Sequence, residues 1–170
     1  SKGTSEPQRE RQFDRLVDQV GPGWFRVVGH SPNYVDRFGL RPALVDMLDD
    51  LMAKFVKVLG PAFDNSVFVV DGDLQPSTFW VPGARLLVLP KADTFVPAVM
   101  AAANIAKVMR DRYMRSIEEE DERYRPYRFA SNKGYRSPEH EAALARYGVT
   151  NEHRLSYRPM CEMVARTEGR

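Results

Sequence analysis

Residues 87–113 join a strand to a helix with very little chain between them, an arrangement that holds a side chain at the end of a sheet. Leu87-Val88-Leu89 is an apolar run of β type, Pro90-Lys91-Ala92-Asp93 follows, and Pro97 suits the first turn of a helix. Alanines at 98, 101, 102, 103 and 106 leave that helix little bulk on its inner face, so it can lie close against whatever it covers. Close packing there fixes Asp93 near the strand end.

Two further stretches have strand character. Ser66 to Asp73 is apolar on both faces, as a central strand of a covered sheet would be, and contains Asp71. Trp24 to Gly29 is aromatic and β-branched. Helices are predicted between and around them. Ser5-Glu6-Pro7-Gln8 has the form of a capping box, and Phe13, Leu16, Val17 and Val20 then recur on one face until Gly21-Pro22-Gly23. After Pro32 a loop is expected. Pro42 to about Leu59 carries a broad apolar stripe, the face a crossover helix needs, and the helix from Pro97 runs to about residue 118 with an acidic, solvated end. Strand, helix and strand in this order predict right-handed parallel crossovers and an α/β fold. At 170 residues the chain is expected to be one domain over 1–160 with a tail over 161–170.

Asp71 and Asp93 each close a predicted parallel strand, and in open α/β sheets the carboxyl ends of the strands face the ligand crevice. Two carboxylates there suit a hard divalent cation, Mg²⁺ or Mn²⁺; the alternative is a cap or turn role for each. Asp73, two residues beyond Asp71, is a candidate third ligand if the strand continues that far. Asp36 reads as a capping or surface group. Zinc is not expected, because the chain holds one cysteine, Cys161, and three histidines, His30, His140 and His153.

The net charge of +2 says little about a polyanion partner, so that argument rests on where the cations sit. They cluster after residue 122. Arg123, Arg125, Arg128, Lys133 and Arg136 alternate with Tyr124, Tyr127, Phe129 and Tyr135, with no acid between them. Cations for phosphates and rings for bases or sugars suit nucleic acid, the alternative being a polar crust over the core. Ser137-Pro138-Glu139 then opens a helix that Gly148 closes. No apolar run approaches the roughly 20 residues of a membrane span, and the expectation is a soluble protein of the cytoplasm.

These stretches together resemble the ribonuclease HII family. Val69-Val70-Asp71-Gly72, Lys91-Ala92-Asp93 and Ala106-Lys107-Val108-x-Arg110-Asp111-Arg112-Tyr113 are similar to its motifs. So are Tyr124-x-x-Tyr127-x-Phe129-Ala130-x-x-Lys133-Gly134-Tyr135-x-Ser137-x-x-His140 and His153-Arg154-x-Ser156-Tyr157-x-Pro159. The resemblance implies a ribonuclease H-like, three-layer α/β/α sheet. It also implies endonucleolytic cleavage of RNA/DNA hybrids or of ribonucleotides embedded in duplex DNA by two-metal phosphodiester hydrolysis. Asp71 and Asp93 would be catalytic metal ligands. Lys2, Lys91, Arg128, Lys133, Tyr135 and Arg136 would bind substrate, Tyr135 packing at the junction of ribose with deoxyribose.

The resemblance also has departures. The family's first strand carries Asp-Glu-Ala-Gly-Arg-Gly, which supplies two more catalytic carboxylates and grips the 2′-hydroxyl; no such motif occurs in the chain. Its antiparallel opening strands are expected to be absent here, leaving the edge of Trp24–Gly29 open to another chain or segment. Three readings follow: a split or processed nuclease completed by a protein partner, a non-catalytic nucleic-acid-binding or structural scaffold, or a truncated piece. Arg128 and Arg136 stand where the family commonly has glycine, and Asn104 where it has serine.

Overall fold

The computed structural model describes residues 3–60, 65–77 and 84–168. They form seven α-helices and a small parallel sheet, an α/β fold as expected. The chain divides into two compact units, Ser1–Gly29 with Arg41–Val108, and His30–Leu40 with Met109–Arg170.

The first unit begins with α1, Glu6–Val20. The Ser5 amide donates to Gln8 Oε1 at 2.9 Å, one half of the capping box, and Gly21 ends the helix at φ 78° with its amide on the Val17 carbonyl. α3, Leu40–Leu59, precedes β1, Val67–Asp71, which pairs in parallel with β2, Arg85–Leu89. The register sets Val67 opposite Arg85 and Asp71 opposite Leu89. Their connection is tied to α3 at two points: Arg41 pairs with Asp73 at 3.2 Å, and the Ser77 amide donates to Asp49 at 3.0 Å. Phe13, Ala43, Met52, Val99, Ile105 and Val108 are buried in this unit. Each large apolar side chain among them contributes about 1.5–3 kcal/mol relative to leaving it in water. A cavity of about 600 Å³ opens beside them, lined by Leu16, Trp24, Phe55, Val69, Ala102 and Ile105 among others.

The strand expected over Trp24–Gly29 does not form. Pro22–Trp24 is a 3-10 turn, and residues 25–30 join no ladder. Phe25 has extended dihedrals, φ −135° and ψ 158°, but extended backbone becomes a strand only beside a partner. Here Phe25 meets Phe13 edge to face at 6.1 Å, and the Arg26 guanidinium folds back on the Phe25 carbonyl at 2.8 Å. A partner chain adding to this edge would therefore find no preformed strand.

α4, Pro97–Glu120, has its first half in one unit and its second half in the other. In the second unit Met114, Ile117, Tyr127, Phe129, Ala143 and Leu144 form a core on which Tyr124, Val149, Met160 and Met163 pack. The stretch after Pro32 is a helix, not a loop: α2, Pro32–Phe38, with the Ser31 hydroxyl accepting from the Tyr34 amide and Pro32 in the first turn. A 3-10 turn over Glu122–Tyr127 and a short α5, Phe129–Asn132, follow α4. α6, Pro138–Tyr147, is capped by the Ser137 hydroxyl and closed by Gly148. α7 spans Met160–Glu168.

Candidate functional site

The first unit presents two carboxylates at one end of its sheet. Asp71 is the last residue of β1 and exposed, and the Gly72 amide returns to the Leu89 carbonyl at 3.0 Å, so the two strands end together. β2 ends at Leu89, and the chain reverses through Lys91, whose φ of 59° and ψ of 30° are left-handed. A 3-10 turn over Ala92–Thr94 is stapled back to Lys91 by the Thr94 amide at 3.0 Å and its hydroxyl at 2.7 Å. Ala92 is fully buried, so Asp93, half-buried beside it, is held by the packing of its neighbour. Among the described residues neither Asp71 nor Asp93 has a hydrogen-bond or ion-pair partner for its carboxylate.

Asp73 does not join them. The strand ends at Asp71 and Gly72 turns the chain at φ 97°, so the alternation that would have put 71 and 73 on one face no longer holds. Asp73 pairs instead with Arg41. No group of three or more His, Cys, Asp or Glu side chains is arranged to hold a metal among the described residues. The pair Asp71 and Asp93 fits a hard cation of the kind that takes one or two protein carboxylates and fills its other positions with water and substrate phosphate oxygens. Lys91, exposed and two residues from Asp93, is the cation nearest to it in sequence.

The second unit carries the basic and aromatic segment, and the fold separates what the sequence interleaves. Tyr127 and Phe129 are core residues and Tyr124 packs on that core, so these rings are not available to stack on bases. Tyr127 also donates its hydroxyl to the Gly148 carbonyl at 2.9 Å. Tyr135 is the exposed ring, at 66%. The arginines point outward, but Arg123 is paired with Asp121 at 2.6 Å, Arg125 with Glu122 at 3.0 Å, and Arg136 with Glu141. Arg128 is exposed at φ 55°, where glycine would sit without strain. Lys133 is buried, 8% exposed, with its ammonium on the Ala130 carbonyl, so it shapes the turn from within. Lys2 lies outside the described residues.

Three arrangements in this unit had no counterpart among the sequence expectations. Asp36, read as a capping or surface group, accepts from the backbone of the distant loop at 155 and 156. Glu118, expected at a solvated helix end, accepts the Ala130 amide at 2.7 Å. His140 and His153 meet ring to ring, Nε2 to Nε2, at 3.0 Å and are both buried. No local signal pointed to the last, since both histidines sit among charged and polar neighbours in sequence, Glu139 and Glu141 on one side and Glu152 and Arg154 on the other.

Comparison with known proteins bears on this arrangement directly. The family model "Ribonuclease HII" matches residues 47–160, which include Asp71, Asp93 and the whole of the Tyr135 turn. The chain belongs to the ribonuclease HII family. A "Ribonuclease HII" of Geobacillus thermodenitrificans is 43% identical over 111 residues, 65% of this chain and 39% of that protein. One of Roseiflexus castenholzii is 35% identical over 164 residues, 96% of this chain and 66% of its own length. One of Shewanella piezotolerans is 32% identical over 162 residues, covering 95% and 73%. The chain thus spans less than two thirds of the first two of these ribonucleases HII. No helix among the described residues is long and apolar enough to cross a membrane.

Proposed function

We propose that this chain acts in the endonucleolytic cleavage of RNA strands at ribonucleotides, in RNA/DNA hybrids or embedded in duplex DNA, with Asp71 and Asp93 as its metal-binding carboxylates. The observation that carries this is the pair itself: two carboxylates, unpaired among the described residues, at the same end of adjacent parallel strands in a ribonuclease HII chain. Mg²⁺ or Mn²⁺, when bound, would polarise the scissile phosphate and lower the pKa of an attacking water.

The chain's own residues do the positioning. Asp71 is presented by the last hydrogen-bonded position of β1, and Asp93 by a turn locked through Ala92 and Thr94. Lys91 adds positive charge beside the carboxylates, suited to a phosphate. In the second unit the exposed Tyr135 ring meets the sugar junction and Arg128 the backbone, while Lys133 and Arg136 hold the turn between them. The other two carboxylates of the family pattern are not in these 170 residues, so we infer completion of the site by another segment or chain.

The test is cleavage of a DNA duplex carrying one ribonucleotide, with Mg²⁺ or Mn²⁺, by the chain alone and with a polypeptide supplying the Asp-Glu-Ala-Gly-Arg-Gly strands. Cleavage on completion, lost by at least about a hundredfold in Asp71→Asn with duplex binding retained, is the expected result. Cleavage that survives Asp71→Asn overturns the ligand assignment. Duplex binding without cleavage in either arm assigns the chain to a binding or scaffold role.

A further inference from the structure

The buried histidine pair has one consistent set of proton positions. The Thr150 amide can only donate, and it lies 3.0 Å from His153 Nδ1, with the Thr150 hydroxyl at 2.8 Å from the same atom. His153 Nδ1 therefore accepts, and in a neutral ring the proton sits on Nε2. At the other end the Tyr135 carbonyl can only accept, and it lies 3.0 Å from His140 Nδ1. That atom carries a proton, which leaves His140 Nε2 as an acceptor. The two outer bonds thus fix opposite tautomers independently. The central contact, Nε2 to Nε2 at 3.0 Å, then has one donor and one acceptor.

Both rings are shut in by Tyr127 and Phe129, with centroids 5.3 to 6.4 Å apart. Protonating His153 would set its Nδ1–H against the Thr150 N–H, and protonating His140 would set two Nε2–H groups against each other. Burial, with His140 next to it, accordingly lowers the His153 pKa to about 4. The relay is a neutral one-way chain that ends on the backbone of Tyr135.

We propose that His140, its tautomer fixed by His153, is the positioning residue for Tyr135 and through it for discrimination of a ribonucleotide from a deoxyribonucleotide. This rests on the reading that Tyr135 meets the ribose junction. The turn is otherwise held at its start: the Gly134 amide donates to Asn132 Oδ1 and the Tyr135 amide to the Asn132 carbonyl, both at 2.8 Å, after successive left-handed residues Lys133 and Gly134. His140 fixes the outgoing carbonyl. The Tyr135 backbone is thus held on both sides, its amide by Asn132 and its carbonyl by His140, and the relay supplies the bond on the side that leads away from the turn.

The experiment compares binding of a fluorescent DNA duplex containing one ribonucleotide with that of its all-deoxy counterpart, for the wild-type chain completed by a polypeptide supplying the Asp-Glu-Ala-Gly-Arg-Gly strands and for His140→Leu, His140→Asn and Tyr135→Ala completed in the same way. His140→Leu is expected to reduce the preference for the ribonucleotide about tenfold, the loss of one positioning hydrogen bond, with affinity for the all-deoxy duplex unchanged. His140→Asn, whose amide nitrogen replaces Nδ1, is expected to restore most of it. If Tyr135→Ala loses the preference and His140→Leu keeps it, the relay does not position the ring. If Tyr135→Ala leaves the preference as it was, the reading of Tyr135 fails and takes this proposal with it. Nitrogen-15 spectra of the wild-type imidazoles decide the matter even if His140→Leu does not fold: protons on His140 Nδ1 and His153 Nε2 at neutral pH are expected, and the opposite tautomers or a charged ring overturn it.

Discussion

The carboxylate of Asp36 accepts the backbone amides of Leu155 at 2.6 Å and Ser156 at 3.0 Å, 119 and 120 positions further along the chain, and the Ser156 hydroxyl as well. One side chain thereby stitches α2 to the loop that precedes α7. It is one tie between His30–Leu40 and the rest of the C-terminal unit, from which more than half of the first unit separates that segment in sequence.

Replacing Asp36 by Ala is expected to cost about 1–2 kcal/mol at neutral pH, the lower part of the range for hydrogen bonds to a charged group, because the site is open to water. Burial alone would raise the Asp36 pKa, but the Ser156 hydroxyl and amide, the Leu155 amide and the charge of Arg154 together hold it below its ordinary 3.8. A depressed carboxyl stabilises the fold above its unfolded pKa and loses that contribution as pH falls through the folded one. Urea titrations of the wild type and Asp36→Ala should differ at pH 7 and converge below pH 3.8. A difference that stays constant down to pH 3 would show that the charge is not what holds the loop.

His153 acts in a different window. Its folded pKa is lowered from 6.5 to about 4, so the unfolded chain takes up a proton over this range and the folded chain does not. Stability contributed by the neutral ring is therefore complete above pH 6.5 and lost as pH falls towards 4, by up to roughly 3 kcal/mol. The groups facing the ring are His140, Thr150, Tyr127 and Phe129, none of them an acid that could offset its charge. His153→Gln should flatten the stability profile between pH 6.5 and 4 relative to the wild type; parallel profiles would refute this.

Gly134 has φ 77°, and a Cβ there would lie 3.1 Å from Met114 Cε and 3.5 Å from Arg110 Nη2. Both neighbours are ends of flexible side chains and can give way, so the backbone supplies most of the strain. Gly134→Ala is expected to destabilise the chain by about 1–2 kcal/mol in thermal unfolding. Discrimination of the ribonucleotide should suffer more than stability, since the strain falls on the residue before Tyr135. A ribonucleotide preference that Gly134→Ala leaves at its wild-type level would go against a role for this turn in recognition.

Local signals carried the parts of the fold that local chemistry decides. The capping box at Ser5, the strand runs at 67–71 and 85–89, the alanine-rich α4 and the Ser137-Pro138 start of α6 all appear where they are read. Ser31-Pro32 carries the same start signal as Ser137-Pro138 and opens α2, a helix too short for its periodicity to be noticed. Trp24–Gly29 failed for the opposite reason: its composition is right for a strand, but pairing is a property of two segments and cannot be read from one. At the candidate site, Asp71 stands at the strand end where its apolar run places it, whereas Asp93, read as closing a strand, lies in the 3-10 turn beyond Leu89. Asp73 was misread because the strand stops one residue earlier than the alternation needs, at the turn made by Gly72, and Tyr127 and Phe129 because a core that includes Met114 and Leu144 decides which way they face.

Among the described residues, the non-glycine positions with left-handed backbone are Lys91, Arg128 and Lys133, every one of them a cation in the segments that carry the candidate site. Each costs about 1 kcal/mol or more that glycine would not. On the proposed reading of Lys91 and Arg128, a laboratory selection for heat resistance, blind to nucleic acid, would drift toward glycine at these two exposed places and erase their charges, whereas Lys133, buried with its ammonium on the Ala130 carbonyl, would be kept. Thermal tolerance and the proposed recognition would then pull in opposite directions at those two codons.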